Sequence, residues 1–210
     1  MTTSNQPARR ALIVIDVQQE YFTGRLPVTF PDPQISLANI GRAIDAATHA
    51  GTPVIVIQHD APEGTPIFAV GSPGWELHDV VASRRHDVMF HKRLPGSFTG
   101  TGLEDWLREH QIDTLTVTGY MTNMCVDTTS RQAAHLGLRV EILSDATGTL
   151  DYANEVGSVT AEQVHTSTLT VLHSALAAVG TTDAWIATLG GDPLPASNLV
   201  ASTQHAVATR

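Results

Sequence analysis

The chain holds a single cysteine, Cys125, among 210 residues. One cysteine cannot close an internal disulfide, so the fold is not a stapled secreted scaffold, and a reducing compartment, the cytoplasm, is the expected setting. Basic side chains are scarce: 12 Lys and Arg against 21 Asp and Glu leave a formal net charge of -9. Affinity for a phosphate backbone rests on Lys and Arg, so no nucleic-acid partner is expected. No stretch approaches the ~20 apolar residues that span a bilayer. The apolar run Ala11–Ile15 stops at Asp16, too soon for a signal core, so no membrane partner is expected either. Internal repeats are absent. Gly100-Thr101-Gly102 lacks the Gly-Lys-Ser/Thr ending of a phosphate loop.

What is present alternates. Ala11–Ile15 is a continuous apolar run of the kind a central parallel strand shows, buried on both faces. Helical spacing follows over 34–50, stopped by Gly51, and Val54–Gln58 is the next strand. The segment 60–74 is rich in Pro and Gly and reads as a loop over the carboxyl edge of a sheet. A short helix over 75–81, a strand over 87–91 and a helix over 103–110, opened by a Thr101-x-x-Glu104 capping box, come next. Then follow a strand at 115–118, a helix at 122–136, a strand at 139–143 and a long helix at 160–178. A short sixth strand is expected at 184–187. This order predicts one α/β domain over 11–189, a mostly parallel sheet with helices on both faces. Residues 1–10 read as a flexible N-terminus and 190–210 as a polar tail.

Ligands of an open parallel sheet sit beyond the carboxyl ends of its strands. Asp16, Lys92 and Cys125 each fall at such an end. Cys125 is the expected nucleophile, Asp16 the base and Lys92 the cation that favours a thiolate. Thr122 reads as the cap of a helix whose first turn contains Cys125, and a helix terminus there would help ionise the thiol. The alternative for Cys125 is a small buried hydrophobe. His59, Asp60 and His78 invite a metal, yet no tight histidine pair accompanies them, so no metal and no cofactor is expected. Phe22, Phe68, Trp75 and Tyr152 are candidate pocket walls, with core packing as the competing role. Asp127 and Asp145 read as helix-surface and turn groups.

Four blocks resemble the isochorismatase-like cysteine hydrolases. They are Ala11–Gln18 with Tyr21 and Phe22; Lys92 with Ser97, Phe98 and Gly100–Leu103; Val117–Asp127; and Leu143–Ala146. The resemblance implies a three-layer α/β/α sandwich on a six-stranded, Rossmann-like sheet, with Asp16, Lys92 and Cys125 as catalytic triad. It also implies a cis peptide at Tyr120-Met121 and an oxyanion hole from the Met121 and Cys125 N–H groups. The activity it implies is metal-free hydrolysis of a small amide or lactam through a thioester, in a homo-oligomer. Alternatives are isochorismatase-type vinyl ether cleavage, or a non-catalytic binding protein on the same fold. Nicotinamidases of this family carry Asp-x-His where this chain reads Asp60-Ala61-Pro62. The likeness points to a branch that includes streptothricin hydrolase, which opens a cyclic amide.

Overall fold

The computed structural model describes residues 8–209; the first seven residues of the expected N-terminal segment lie outside them. In chain order the elements are β1 (Arg10–Ile15), α1 (Pro33–Ala50), β2 (Val54–His59), α2 (Asp79–Ala82) and β3 (Val88–Lys92). They continue with α3 (Leu103–Glu109), β4 (Thr114–Tyr120), α4 (Asp127–His135), β5 (Arg139–Gly148), β6 (Tyr152–Asn154) and β7 (Gly157–Val159). The last are α5 (Ala161–His173), β8 (Ala178–Gly180), α6 (Thr182–Ile186) and α7 (Leu199–Ala208). Six strands form one parallel sheet in the order β3-β2-β1-β4-β5-β8, and β6 and β7 make a separate antiparallel hairpin.

Successive strand side chains point to opposite faces, and the core divides accordingly. Leu12, Val14, Val54 and Val56 pack under Leu37, Ile40 and Ile44 of α1 and Trp185 of α6. Ala11, Ile13, Ile15, Ile55 and Ile57 pack under Leu103 and Leu107 of α3, Ala133 of α4 and Leu169 and Leu172 of α5. Three layers result, and Ala11 to Ile15 are wholly buried between them. Each such aliphatic side chain contributes roughly 1.5–3 kcal/mol by leaving water.

Three local expectations are corrected. Residues 184–187 are not the sixth strand but part of α6, because Thr181 accepts the Ala184 N–H as a cap and Trp185 turns inward to donate to Glu141 at 3.1 Å. The sixth strand is β8, which starts at the last residue of the segment read as helix: α5 stops at His173, whose Nδ1 accepts the Val179 N–H at 3.0 Å. The Thr101 capping box does not form. The Thr101 hydroxyl donates to the Ser97 carbonyl at 2.6 Å and accepts the Leu103 N–H at 3.3 Å, not the Glu104 N–H that a capping box needs, and Gly102 is the residue before α3.

Candidate active site

The carboxyl ends of β1, β2, β3 and β4 face one rim. Asp16 follows β1 directly, with a left-handed backbone (φ 51°) that Asp tolerates better than most residues. Lys92 is the last residue of β3 and lies in register with His59, the last of β2. Because β2 sits between β3 and β1, the Lys92 side chain must cross it to reach Asp16. It does so: Nζ lies 2.6 Å from Asp16 Oδ2 and 3.3 Å from Cys125 Sγ. Both members of the ion pair have fully buried side chains, and Cys125 is buried as well. Asp16 Oδ1 is buried and makes no hydrogen bond among the described residues.

Burial pushes the Cys125 thiol well above its ordinary range; Asp16 adds to this and Lys92 opposes it. The thiol is therefore protonated at rest. Ionisation by a helix terminus, expected from the sequence, is outweighed by desolvation. Burial alone would lower the Lys92 ammonium, yet Asp16 and Cys125 outweigh it and carry the net shift upward, so the cation persists.

Local backbone geometry aims the sulfur. Gly119 ends its strand pairing opposite Ile15 with φ 104°, and a Cβ there would stand 2.0 Å from the Ile15 carbonyl oxygen. Only glycine lets β4 pass so close to β1. The Tyr120–Met121 peptide is cis. Residues Thr122–Val126 then wind as a π-helical turn before α4, and Cys125 lies in that turn rather than in the first turn of an α-helix. Thr122 is not the cap, because its hydroxyl is engaged by His165 Nδ1 at 2.9 Å. The Met121 carbonyl accepts from the Met124 and Val126 N–H groups. Among the described residues the Met121 N–H has no backbone acceptor, and the Cys125 N–H has none outside its own turn.

His59, first considered as a metal ligand, points its Nδ1 at Lys92 Nζ from 3.1 Å. The donor atoms of Asp16, His59 and Cys125 lie within 4.8 Å of one another. The Lys92 ammonium touches all three, so this donor set already surrounds a fixed positive charge. A divalent ion placed there would meet that charge directly, and the residues do not fit one. His78 lies elsewhere, accepting the Val80 N–H at the start of α2. Asp60 accepts from Trp75 Nε1 at 2.7 Å and pairs with His91. Asp145 and Asp127 serve locally, the first accepting from Thr182 and the second pairing with Arg131.

Of the aromatic candidates, Tyr152 lies over the nucleophile turn. Its hydroxyl accepts from Asn123 Nδ2 at 3.0 Å and contacts Met121 Sδ at 3.6 Å. Phe22 packs on His78 and Tyr120, Phe68 on Tyr21 and His59, and Trp75 stacks on His91. Sequence reasoning passed over Tyr21 except as part of a block. Its buried phenol is raised well above its ordinary range by desolvation first, then by the charges of Cys125 and Asp16. It also passed over Gln18, whose buried amide receives the His59 N–H at 2.8 Å and donates to the His59 and Trp75 carbonyls. Three polar bonds at one buried amide, two of them to His59, fix the ends of β1 and β2 together. A cavity of about 1030 Å³ lies away from this cluster, between α5 and α7, and shares none of its residues.

Residues 10–184 match the Isochorismatase domain family. A putative isochorismatase from Burkholderia xenovorans LB400 superposes with a TM-score of 0.96 at 55% identity, covering 98% of this chain and 99% of that one. A cysteine hydrolase from Pseudomonas syringae pv. phaseolicola 1448A does so with a TM-score of 0.78 at 30% identity, covering 87% and 92%. An uncharacterized isochorismatase family protein of Bacillus subtilis, YddQ, is 32% identical over 84% of this chain and 98% of its own length. Streptothricin hydrolase of Streptomyces noursei is 34% identical over 68% of this chain, but only 50% of that protein is covered.

Proposed function

Because the chain belongs to the isochorismatase family, we propose that this cysteine hydrolase cleaves the C–N bond of a small amide or lactam through a thioester. The observation that carries the proposal is the single ammonium that touches both the buried carboxylate and the buried sulfur. A thiol held protonated in a dry site needs a base at hand, and Asp16 lies within 4.8 Å of it.

In the first half-reaction the Cys125 proton passes to Asp16 as Sγ attacks the acyl carbon. Lys92 keeps a positive charge against the shifting negative charge. The tetrahedral oxyanion is received by the Met121 and Cys125 N–H groups; the Met121 N–H has no backbone acceptor among the described residues, which supports this role. Collapse breaks the C–N bond, and the nitrogen leaves with the proton stored on Asp16. In the second half-reaction water gives a proton to Asp16 and adds to the thioester; the acid departs and the thiol is restored. With a lactam the departing amine stays tethered to the acyl group. A ring-opening substrate of the streptothricin type is the finer reading, supported by the shared identity with that hydrolase. Phe22, Trp75 and Tyr152 are assigned to the pocket wall, and the placement of Tyr152 over Met121 supports this best.

We place the protein in the cytoplasm, where its lone thiol stays reduced, and assemble it as a homo-oligomer. No residue of α7 is buried, and Leu199, Val200 and Val207 stand exposed, which supports a second copy covering them. No helix of the described residues is long and apolar enough to cross a membrane.

The test is release of ammonia or amine from a panel of small amides and lactams, streptothricin included, with Cys125→Ala as control. Turnover unchanged in the control removes the thiol from the mechanism; no amine release from any member of the panel returns the vinyl ether reading.

A further inference from the structure

An ammonium has three protons to donate and no acceptor. Lys92 Nζ has four acceptors within reach: Asp16 Oδ2 at 2.6 Å, His59 Nδ1 at 3.1 Å, the Leu94 carbonyl at 3.2 Å and Cys125 Sγ at 3.3 Å. One of the four must go short. Asp16 is a buried full charge and does not yield. The Leu94 carbonyl stands two residues along the same backbone and is fixed to it. The contest lies between an imidazole nitrogen and a sulfur.

We propose that His59 is a positioning residue that tunes Cys125 by competing with its sulfur for the protons of the Lys92 ammonium. The proposal rests on Cys125 being the nucleophile of the reading above. While the thiol is protonated its sulfur is a weak acceptor, and the third ammonium proton goes to His59. When the thiolate forms it becomes the stronger acceptor, and that proton must turn from His59 to sulfur. His59 therefore makes the thiolate harder to form at rest and holds the nucleophile as a thiol until Asp16 takes its proton.

Two features keep His59 in the contest. Its backbone N–H and carbonyl are both bonded to the buried Gln18 amide, and its ring lies 5.1 Å from that of Phe68. Its ring is neutral near pH 7, since burial first and Lys92 second both lower its affinity for a proton, with Asp16 and Asp60 opposing. The Nδ1 lone pair is thus available. The other charged or titratable groups around Cys125 are Asp16, Lys92 and Tyr21, which a change at His59 leaves in place.

The experiment is the pH dependence of iodoacetamide labelling at Cys125, the chain's only cysteine, since only the thiolate reacts. His59→Phe keeps a ring but has no acceptor, and its labelling midpoint is expected to fall by about one pH unit, the lower end of what a hydrogen bond to a charged group supplies. Labelling at pH 7 then quickens about tenfold. His59→Asn, whose Oδ1 falls near the place of Nδ1, is expected to keep the wild-type midpoint. Should His59→Phe fail to fold, His59→Leu offers the same lack of an acceptor in a smaller side chain. A midpoint in the folded acceptorless variant at or above that of wild type overturns the proposal, as does an equal fall in His59→Asn. The readout needs no substrate. Absence of any amide turnover would count against the proposed function alone, and an unmoved midpoint in an active amidase would count against this inference alone.

Discussion

Lys92 and Asp16 meet at 2.6 Å with both side chains fully buried, although a whole strand, β2, separates the strands that present them. The pairing has two consequences. It neutralises a carboxylate that water cannot reach, and it sets a cation against the sulfur of Cys125. Neither charge is tolerable alone at that depth, because an unpaired buried ion loses its hydration without replacement.

Replacing Lys92 with Met is expected to lower stability by roughly 3–5 kcal/mol, the usual cost of orphaning one member of a buried pair. The double variant Lys92→Met, Asp16→Asn is expected to recover part of that loss, since no bare charge remains. Urea unfolding of the two single variants and the double variant measures the coupling. Additive losses would show that the pair does not interact energetically. Neither variant is expected to hydrolyse amides.

Gly119→Ala is expected to disturb both fold and site. The new Cβ would meet the Ile15 carbonyl oxygen at 2.0 Å, a backbone atom that cannot swing aside. Overpacking of this kind costs roughly 1–3 kcal/mol, with the left-handed backbone adding to it. The melting temperature should fall and Cys125 labelling should become faster as the turn loosens. A variant with unchanged melting and labelling would contradict the close approach of β4 to β1.

Arg10 and Glu141 form a second buried pair, at 3.1 Å, toward the opposite edge of the sheet. Glu141 also accepts from Thr116, Trp185 and the Leu194 N–H, and Arg10 donates to the carbonyls of Gly191 and Asp192. This network ties the segment after α6 to the sheet. Arg10→Leu is expected to cost roughly 3–5 kcal/mol and to expose the bonds near 191–194 to limited proteolysis. Cleavage there no faster than in wild type would sink the assignment of a tether. Labelling of Cys125 in the folded variant should be unchanged.

His165 predicts an acid limb of stability. Burial lowers it from its ordinary value to about 4, against a small opposing contribution from the Ser144 backbone. The unfolded chain takes up this proton near pH 6.5 and the folded chain only near 4. Its stabilising contribution is therefore complete above about pH 6.5 and is lost as the pH falls toward 4, a change of about 3 kcal/mol. Denaturation midpoints measured from pH 7.5 to 4 should show this slope. In His165→Gln the slope should be shallower, with the part due to other histidines remaining.

The strands and most helices were legible because their signals are local. Ala11–Ile15 has no polar side chain, and such a run is stable only between two layers. The helix over 34–50 announces itself through Ile35, Leu37, Ile40 and Ile44, and Gly51 ends it with a left-handed backbone. The misread elements share a different cause. Trp185 is helical because its indole finds Glu141 and Thr116 across the fold, and the Thr101 hydroxyl is held between the Ser97 carbonyl and the Leu103 N–H instead of meeting Glu104. Partners so placed leave no mark on neighbouring residues.

By itself, then, the order of residues determined an alternating α/β chain and put Asp16, Lys92 and Cys125 at strand ends, since apolar runs, breakers and periodicity act over a few residues. It also carried the motif blocks on which family membership could be read. Only the tertiary structure decided that Lys92 crosses β2, that His59 joins the ammonium and that the thiol rests protonated. Distance, burial and the count of acceptors around one nitrogen are properties of packing, and they exist only once distant segments have been brought together.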